Sequence, residues 1–352
     1  MTNKIFFLNI NIKTILVLCL FGFMHICLMA QPGGDGRTGE AGAGELLINP
    51  WAQSSGMMGA NTASVKGVES SFLNVAGLTR TEGTELLFAT SKFIGDVSLS
   101  AAGFSQNMGE GVLGLSVMSL DFGDIERTTV ENPEGTLGTF SAQYVNIGLS
   151  YAYPFSYNMS AGVTVKMISE AAAELTANGF AVDAGVHYQT GRNNQTKFGI
   201  TLKNWGPRMA YSGDGDDITG IPKGSDNEMT LEFRSAPFEI PTLLNIGGSY
   251  DFLIYNGESE MFRITLSETF VSNSFSKDQF LTGLEVSWQE IISLRGGFAY
   301  EHGVFKAYDD GSTTAFQGSS LGMTVEYTGF ALDYAYRPAS KLKSVHTIGV
   351  RI

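Results

Sequence analysis

FALDYAYRPASKLKSVHTIGVRI, residues 330–352, decides the fold. Phe330, Leu332, Tyr334 and Tyr336 alternate with Ala331, Asp333, Ala335 and Arg337. After Pro338–Lys343, Ile348, Val350 and Ile352 alternate with Thr347, Gly349 and Arg351. A period of two makes each half a strand with one apolar and one polar face. The second strand runs to the last residue, so nothing downstream covers its edge. A strand with an apolar outer face and charges on the other suits a barrel wall in lipid, where closure removes the free edge.

The same alternation runs upstream. Fourteen segments read as strands: roughly 84–94, 96–106, 110–121, 139–153, 157–169, 178–190, 195–206, 242–255, 260–272, 277–288, 291–301, 317–327, 329–337 and 344–352. Val145, Ile147, Leu149, Tyr151 and Tyr153 stand against Asn146, Gly148 and Ser150. Most segments have the length that crosses an outer membrane at a tilt. Aromatics such as Tyr151, Tyr188, Trp288, Tyr300 and Tyr327 gather near strand ends, as in interfacial girdles. Connections after even-numbered segments are short. Several after odd-numbered ones are long: 121–138, 206–241 and 302–316. Short periplasmic turns and long outer loops are the outer-membrane arrangement. An even strand count then predicts both termini in the periplasm. A soluble β-sandwich gives the same alternation but hides the apolar face; the loop asymmetry and terminal strand favour the barrel.

The first thirty residues carry Lys4, Lys13 and no acid, then an apolar run from Ile15 to Met29. They read as a secretory signal peptide cut after Ala30. Cys19 and Cys27 both lie in it, which excludes disulfide frameworks and thiolate metal sites from the mature chain. The predicted division is therefore 1–30 signal peptide, 31–83 lead-in and plug, 84–352 barrel. Glycine is abundant (43 of 352 residues), and the formal charge of −13 argues against nucleic acid as a partner.

No residues carry a recognisable catalytic or cofactor pattern. His187, His302 and His346 lack zinc-ligand spacing. Asp214-Gly215-Asp216-Asp217 lacks the sixth-position glycine and distal Glu of a calcium loop. The charges on inward faces, Lys166, Asp183, Lys203, Arg263, Glu285, Arg295, Glu301, Glu326, Asp333 and Arg337, read as a salt-bridged wall. The expectation is a chain with no enzymatic activity, cofactor or metal. Glu285 and Arg295 are expected to face each other across the turn at Gln289–Glu290. The loop from Gly206 to Pro241 is the candidate partner-binding element. It carries Asp214, Asp216 and Asp217, and a short amphipathic strand with Met229, Leu231 and Phe233 on its apolar side.

Residues 51–78 do not alternate. Gly56, Met57, Met58, Gly59 and Ala60, followed by Asn74, Val75, Ala76, Gly77 and Leu78, resemble the N-terminal signature of the FadL-like barrels, although Val75 stands where that pattern has proline. Leu294-Arg295-Gly296-Gly297-Phe298 and Asp333-Tyr334-Ala335-Tyr336, with His346, resemble the PorV/PorQ branch of that group, which belongs to Bacteroidetes-type bacteria. The resemblance implies a fourteen-stranded, all-β outer-membrane barrel with a luminal plug. It further implies a scaffold or cargo-binding role with the type IX secretion translocon or surface attachment proteins. FadL-type members instead pass hydrophobic molecules through the wall, which leaves a hydrophobic luminal ligand as the alternative.

Overall fold

The computed structural model describes residues 37 and 39–352 except 94–96, 131, 136–137, 214–217, 222–226, 228, 232–234, 258, 303, 305–317 and 340–343. The signal-peptide segment 1–30 lies outside the described residues, as do Asp214, Asp216, Asp217 and Phe233.

The strands are β1 Thr84–Lys92, β2 Ser98–Met108, β3 Gly111–Glu126, β4 Thr139–Pro154, β5 Met159–Ala172, β6 Leu175–Thr190, β7 Thr196–Trp205, β8 Tyr211–Ser212, β9 Ile218–Gly220, β10 Met229–Leu231, β11 Leu243–Asn256, β12 Ser259–Asn273, β13 Gln279–Trp288, β14 Ile292–Glu301, β15 Ser319–Tyr327, β16 Phe330–Arg337 and β17 Val345–Arg351. Fourteen of them, β1–β7 and β11–β17, pair antiparallel in sequence order. β1 then pairs with β17, from Leu87↔Arg351 to Lys92↔His346, and closes the wall. β8 adds two residues beside β6, and β9 and β10 form a separate hairpin.

The burial pattern decides between barrel and sandwich. Phe88, Leu149, Val165, Phe180, Ile200, Leu294 and Leu332 are exposed, while their neighbours Ser150, Thr164, Asp183, Thr201, Arg295 and Asp333 are buried. In water that arrangement would expose the apolar face and bury the polar one. In lipid it is the favourable one, with every ladder hydrogen bond made inside the closed wall.

The rims differ. One carries only short turns, such as the three residues Gln289–Ile291, and the other carries the long connections. Three strands extend further toward the long-loop rim than the alternation suggested: β3 to Glu126, β5 to Ala172, and β6 from Leu175. Only Ala173 and Glu174 join β5 to β6. Small residues (Ala171, Ala172, Ala177) weaken the apolar signal there while still pairing.

Before β1 the chain crosses the lumen. Ala41 bridges Glu239, and Gly42 N–H donates to the Glu239 carbonyl (3.0 Å), at the long-loop rim. The helices Ala52–Gly56 and Ser70–Leu73 and the 3-10 turn Val75–Arg80 follow inside. β1 then starts at the short-turn rim. The even strand count puts Thr84 and Ile352 at the same, short-turn rim. Arg37, ahead of the luminal segment, lies beside Glu239 at the long-loop rim.

Candidate functional site

The lumen is seated on glycines. Inward wall positions that touch residues 51–78 are repeatedly glycine, including Gly103, Gly162, Gly199, Gly247, Gly297 and Gly322. A Cβ on Gly199 would stand 2.7 Å from Thr62 O, and one on Gly322 3.0 Å from Gly56 Cα. Removing side chains where another backbone must approach is what glycine does best. This belt lets a luminal segment fill a wall too wide for side chains alone.

The plug motif residues are placed as follows. Met57 lies against Gly283 and Gly297, which oppose each other in the β13–β14 register. Gly56 packs on Gly322, and the Ala60 carbonyl accepts from Thr269 Oγ1 (2.8 Å). Gly59 adopts φ +76°, and Met58 before it +53°. Asn74 Oδ1 accepts from Ala76 N–H (3.3 Å), capping the 3-10 turn. The Ala76 carbonyl accepts from Ser160 Oγ (3.2 Å). Gly77 backs onto Ser70 and Val65, and Leu78 packs with Val75, Val112 and Ala152. Val75 opens that turn, a position where proline fits but is not required once Asn74 supplies the cap.

The turn Met57-Met58-Gly59 is a septum between two cavities. On the long-loop side a cavity of about 560 Å³ is lined by Leu47, Met58, Phe72, Leu73, Leu243, Val271, Leu281 and Val304, with Lys203, Lys277, Glu301 and Arg337 among them. On the short-turn side a cavity of about 370 Å³ is lined by charge. Its ion pairs include Lys197–Asp251 (2.5 Å), Arg263–Glu260 (2.9 Å), Arg351–Glu326 (2.8 Å) and Arg295–Glu285. Glu285 and Arg295 are direct register partners across a three-residue turn. Arg295 also reaches Thr324, which donates to Asp333. So the structure gathers Glu285 and Arg295 at one cavity, with Asp333 buried behind them through Thr324, and puts Arg337 at the other.

One feature was not readable from alternation. β7 carries a bulge: Val182 pairs with Trp205 but Ala184 with Leu202, so Asp183 faces both Lys203 and Asn204. Asn204 takes φ +58° and its N–H donates to Asp183 Oδ1 (2.7 Å). The bulge turns two consecutive side chains inward, a known way of re-aiming a residue at a site. Lys166 is satisfied there by Asp183 (2.6 Å) and Asn204 Oδ1 (2.8 Å). Lys203 is not. It is 3% exposed, its Nζ lies 3.6 Å from the centre of the Phe72 ring, and among the described residues no carboxylate stands within ion-pair distance. It borders the larger cavity.

Of the candidate partner loop, Met229 and Leu231 form β10 in the hairpin with β9, and Met229 is half exposed. Among the described residues no group of three or more His, Cys, Asp or Glu is placed to hold a metal ion.

No protein-family model matches the chain, and no curated protein matches it by sequence. Solved structures do match. The monoaromatic hydrocarbon channel CymD aligns at a TM-score of 0.54 with 15% identity, over 87% of this chain and 96% of that one. The Pseudomonas putida toluene transporter TodX aligns at 0.54 with 10% identity, over 86% and 97%. A Pseudomonas aeruginosa FadL homologue aligns at 0.47 with 10% identity, over 85% and 96%. At such identities the likeness is one of fold: the chain is a closed, fourteen-stranded antiparallel β-barrel of the outer-membrane type, with the architecture of the hydrocarbon channels CymD and TodX.

Proposed function

We propose that the protein is an outer-membrane channel for small hydrophobic molecules. In this reading the long-loop rim faces outward and the short turns face the periplasm. The carrying observation is the larger cavity: it has an apolar floor and ends on the septum rather than on a continuous core. A molecule entering there would lose its apolar surface to Phe72, Leu73, Leu243, Val271 and Leu281 at about 25 cal/mol per Å². Among the described residues Lys203 is the fully buried cation facing it, with half-buried Arg337 lining the same cavity, so the favoured ligand carries an anionic group on an apolar body.

A medium-chain carboxylate and its methyl ester test this by binding to the detergent-solubilised barrel. The acid should bind at least tenfold tighter than the ester, and Lys203→Met should erase that preference while leaving ester binding intact. Absence of binding by both would end the channel reading.

A second reading keeps the barrel as a scaffold for type IX secretion or attachment proteins, as the PorV/PorQ resemblance implies. It is favoured by the β9–β10 hairpin, which among the described residues pairs with no wall strand and carries the exposed Met229, a feature suited to strand addition. Replacing 213–235 with a short Gly/Ser link should abolish co-purification of such partners while the barrel stays heat-modifiable on gels. Unchanged recovery would exclude that loop.

A further inference from the structure

The septum is held by a carboxylate that the channel reading does not use. Glu69 is 4% exposed. Its Oε1 accepts from Gln53 N–H (3.1 Å), and its Oε2 from Ser54 N–H (3.1 Å) and Ser54 Oγ (2.5 Å). Those N–H groups belong to the first turn of helix Ala52–Gly56, whose last residue leads into the septum turn Met57–Gly59. The same Gln53 donates its side-chain amide to Asp333 Oδ1 on the wall (3.0 Å). Gln53 is thus clamped between two buried acids, one on the plug and one on β16. Asp333 Oδ2 is buried with no hydrogen-bond partner among the described residues.

We propose that Glu69 is a proton-operated latch on the septum: its carboxylate form fixes the helix that carries Met57–Gly59, and its protonation releases that helix and joins the two cavities. A carboxylate accepts only, and here it accepts three hydrogen bonds. A carboxylic acid turns one oxygen into an O–H donor and a poorer acceptor, so the charge-assisted bonds that hold the Gln53 and Ser54 N–H groups and the Ser54 hydroxyl weaken where little water reaches to replace them.

The charged groups around the latch set its midpoint. From the wall, Asp333 on β16 faces it, as do Arg295, paired to Glu285, and Arg351, paired to Glu326, while Glu85 on β1 accepts from the neighbouring Val68 N–H. From the plug, Lys66 borders the same cavity. Burial first, and Asp333 second, push the Glu69 carboxyl up to about 7, against the opposite pull of Ser54, Arg295 and Arg351. The latch therefore closes above neutrality and opens below it. Glu69 acts through the helix and touches no ligand, so it is a positioning residue.

The step that opens a channel rests on the proposed function, so the test reads the septum itself. A nitroxide on Met58→Cys projects into the larger cavity and reports septum mobility at any pH. In the whole barrel its spectrum should be immobilised at pH 8.5 and mobile at pH 5.5. Glu69→Gln, which mimics the protonated acid, should be mobile at both. Asp333→Asn, which removes the second cause of the raised carboxyl, should move the midpoint to lower pH and keeps the proposal testable if Glu69→Gln fails to assemble. A label equally mobile at both pH values, a Glu69→Gln barrel that keeps the pH response, or an unmoved midpoint in Asp333→Asn overturns the latch. Uptake of an apolar dye into proteoliposomes is measured alongside. A septum that responds to pH with no uptake at either value supports the latch and counts against the channel.

Discussion

The two halves of the wall are built for different tasks. β3, β4 and β6 have 16 residues each and β5 has 14, whereas β15, β16 and β17 have 9, 8 and 7. At ~3.3 Å per residue and a tilt near 40°, the long strands rise about 35–40 Å and the short ones about 18–23 Å, against an apolar band of ~25 Å. The tall half is filled. Leu46, Trp51, Val68, Leu99, Leu120, Tyr144 and Ile168 form a continuous core between it and the plug. Across the lumen, β11–β15 line the two cavities and meet the plug along Gly56–Ser64, at Gly322, Gly297, Gly283, Thr269, Ser267 and Gly247. The apolar anchorage is thus concentrated in the tall half, while the septum crosses between two open spaces and is held on β13–β14 by close backbone contact alone.

The largest effect expected from this contrast is at Trp51, which is 1% exposed in the packed half. Trp51→Ala should weaken plug docking by about 3–5 kcal/mol. Leu281, on the wall of the larger cavity, lies beside space that already exists. Leu281→Ala should cost about 2 kcal/mol or less, since little new void is made. Hydrogen exchange of amides 52–78 measures both as the free energy of local opening. Equal costs would dissolve the distinction between the halves.

Next comes a pair of adjacent glycines. Gly297 faces inward, and a Cβ there would overlap the Met57 backbone. Gly296 faces outward, and its Cβ would meet nothing nearer than Leu321 Cδ2 at 3.9 Å. Gly297→Ala should cost about 1–3 kcal/mol of septum stability by overpacking. Gly296→Ala should be neutral or gain about 0.5–1 kcal/mol from lower strand entropy cost. If the same exchange measurement gave the two one cost, the septum would not depend on close backbone approach.

What the sequence could and could not convey follows from these same residues. The wall was legible because alternation is local: Val145 to Tyr153 state their two faces without knowledge of any partner. The pairing of Glu285 with Arg295 was legible from the same parity, given the three-residue turn. The glycine belt was present as abundance but not as a belt, because an inward glycine matters only once a second backbone lies over it. The Lys203–Asn204 bulge breaks the parity of β7, and that break is defined by Asp183 on the neighbouring strand. The crossing of the lumen by residues before Thr84 depends on a contact with Glu239, some two hundred positions away. In each case the missing information is a long-range partner, not a local preference.

A smaller effect belongs to the charged cavity. The side chains of Arg295 and Glu285 are 5% and 23% exposed, so their ion pair is partly screened. Charge removal by Glu285→Gln and Arg295→Gln should show a coupling of about 1 kcal/mol in a double-mutant cycle of barrel unfolding in urea and detergent. Zero coupling would mean that the short half is rigid without its ion pairs, and that its charges serve the cavity alone.

The smallest effect is at the mouth of the tall half, where Arg37 (2.8 Å) and Arg208 (2.5 Å) both hold the exposed Glu239 carboxylate. The hydrogen bonds from Arg37, then Arg208, keep this carboxyl below its ordinary 4.5. A depressed carboxyl contributes stability that is fully present above the ordinary value and is lost as pH falls through the lower, folded one. The tether between the segment near Gly42 and the long loop should therefore hold at neutral pH and release below about 4.5. The Gly42 amide, which donates to the Glu239 carbonyl, should lose its exchange protection over that acid window once intrinsic rates are divided out. The Leu46 amide should keep its protection, because the Leu46 side chain is fully buried and its bond to the Ala43 carbonyl involves no titrating group. Glu239→Gln should make Gly42 exchange fast at every pH, and salt should mimic it in part, since both guanidinium partners are in water. Joint loss of protection at Gly42 and Leu46 on acidification would show that the strap and the packed core open as one unit.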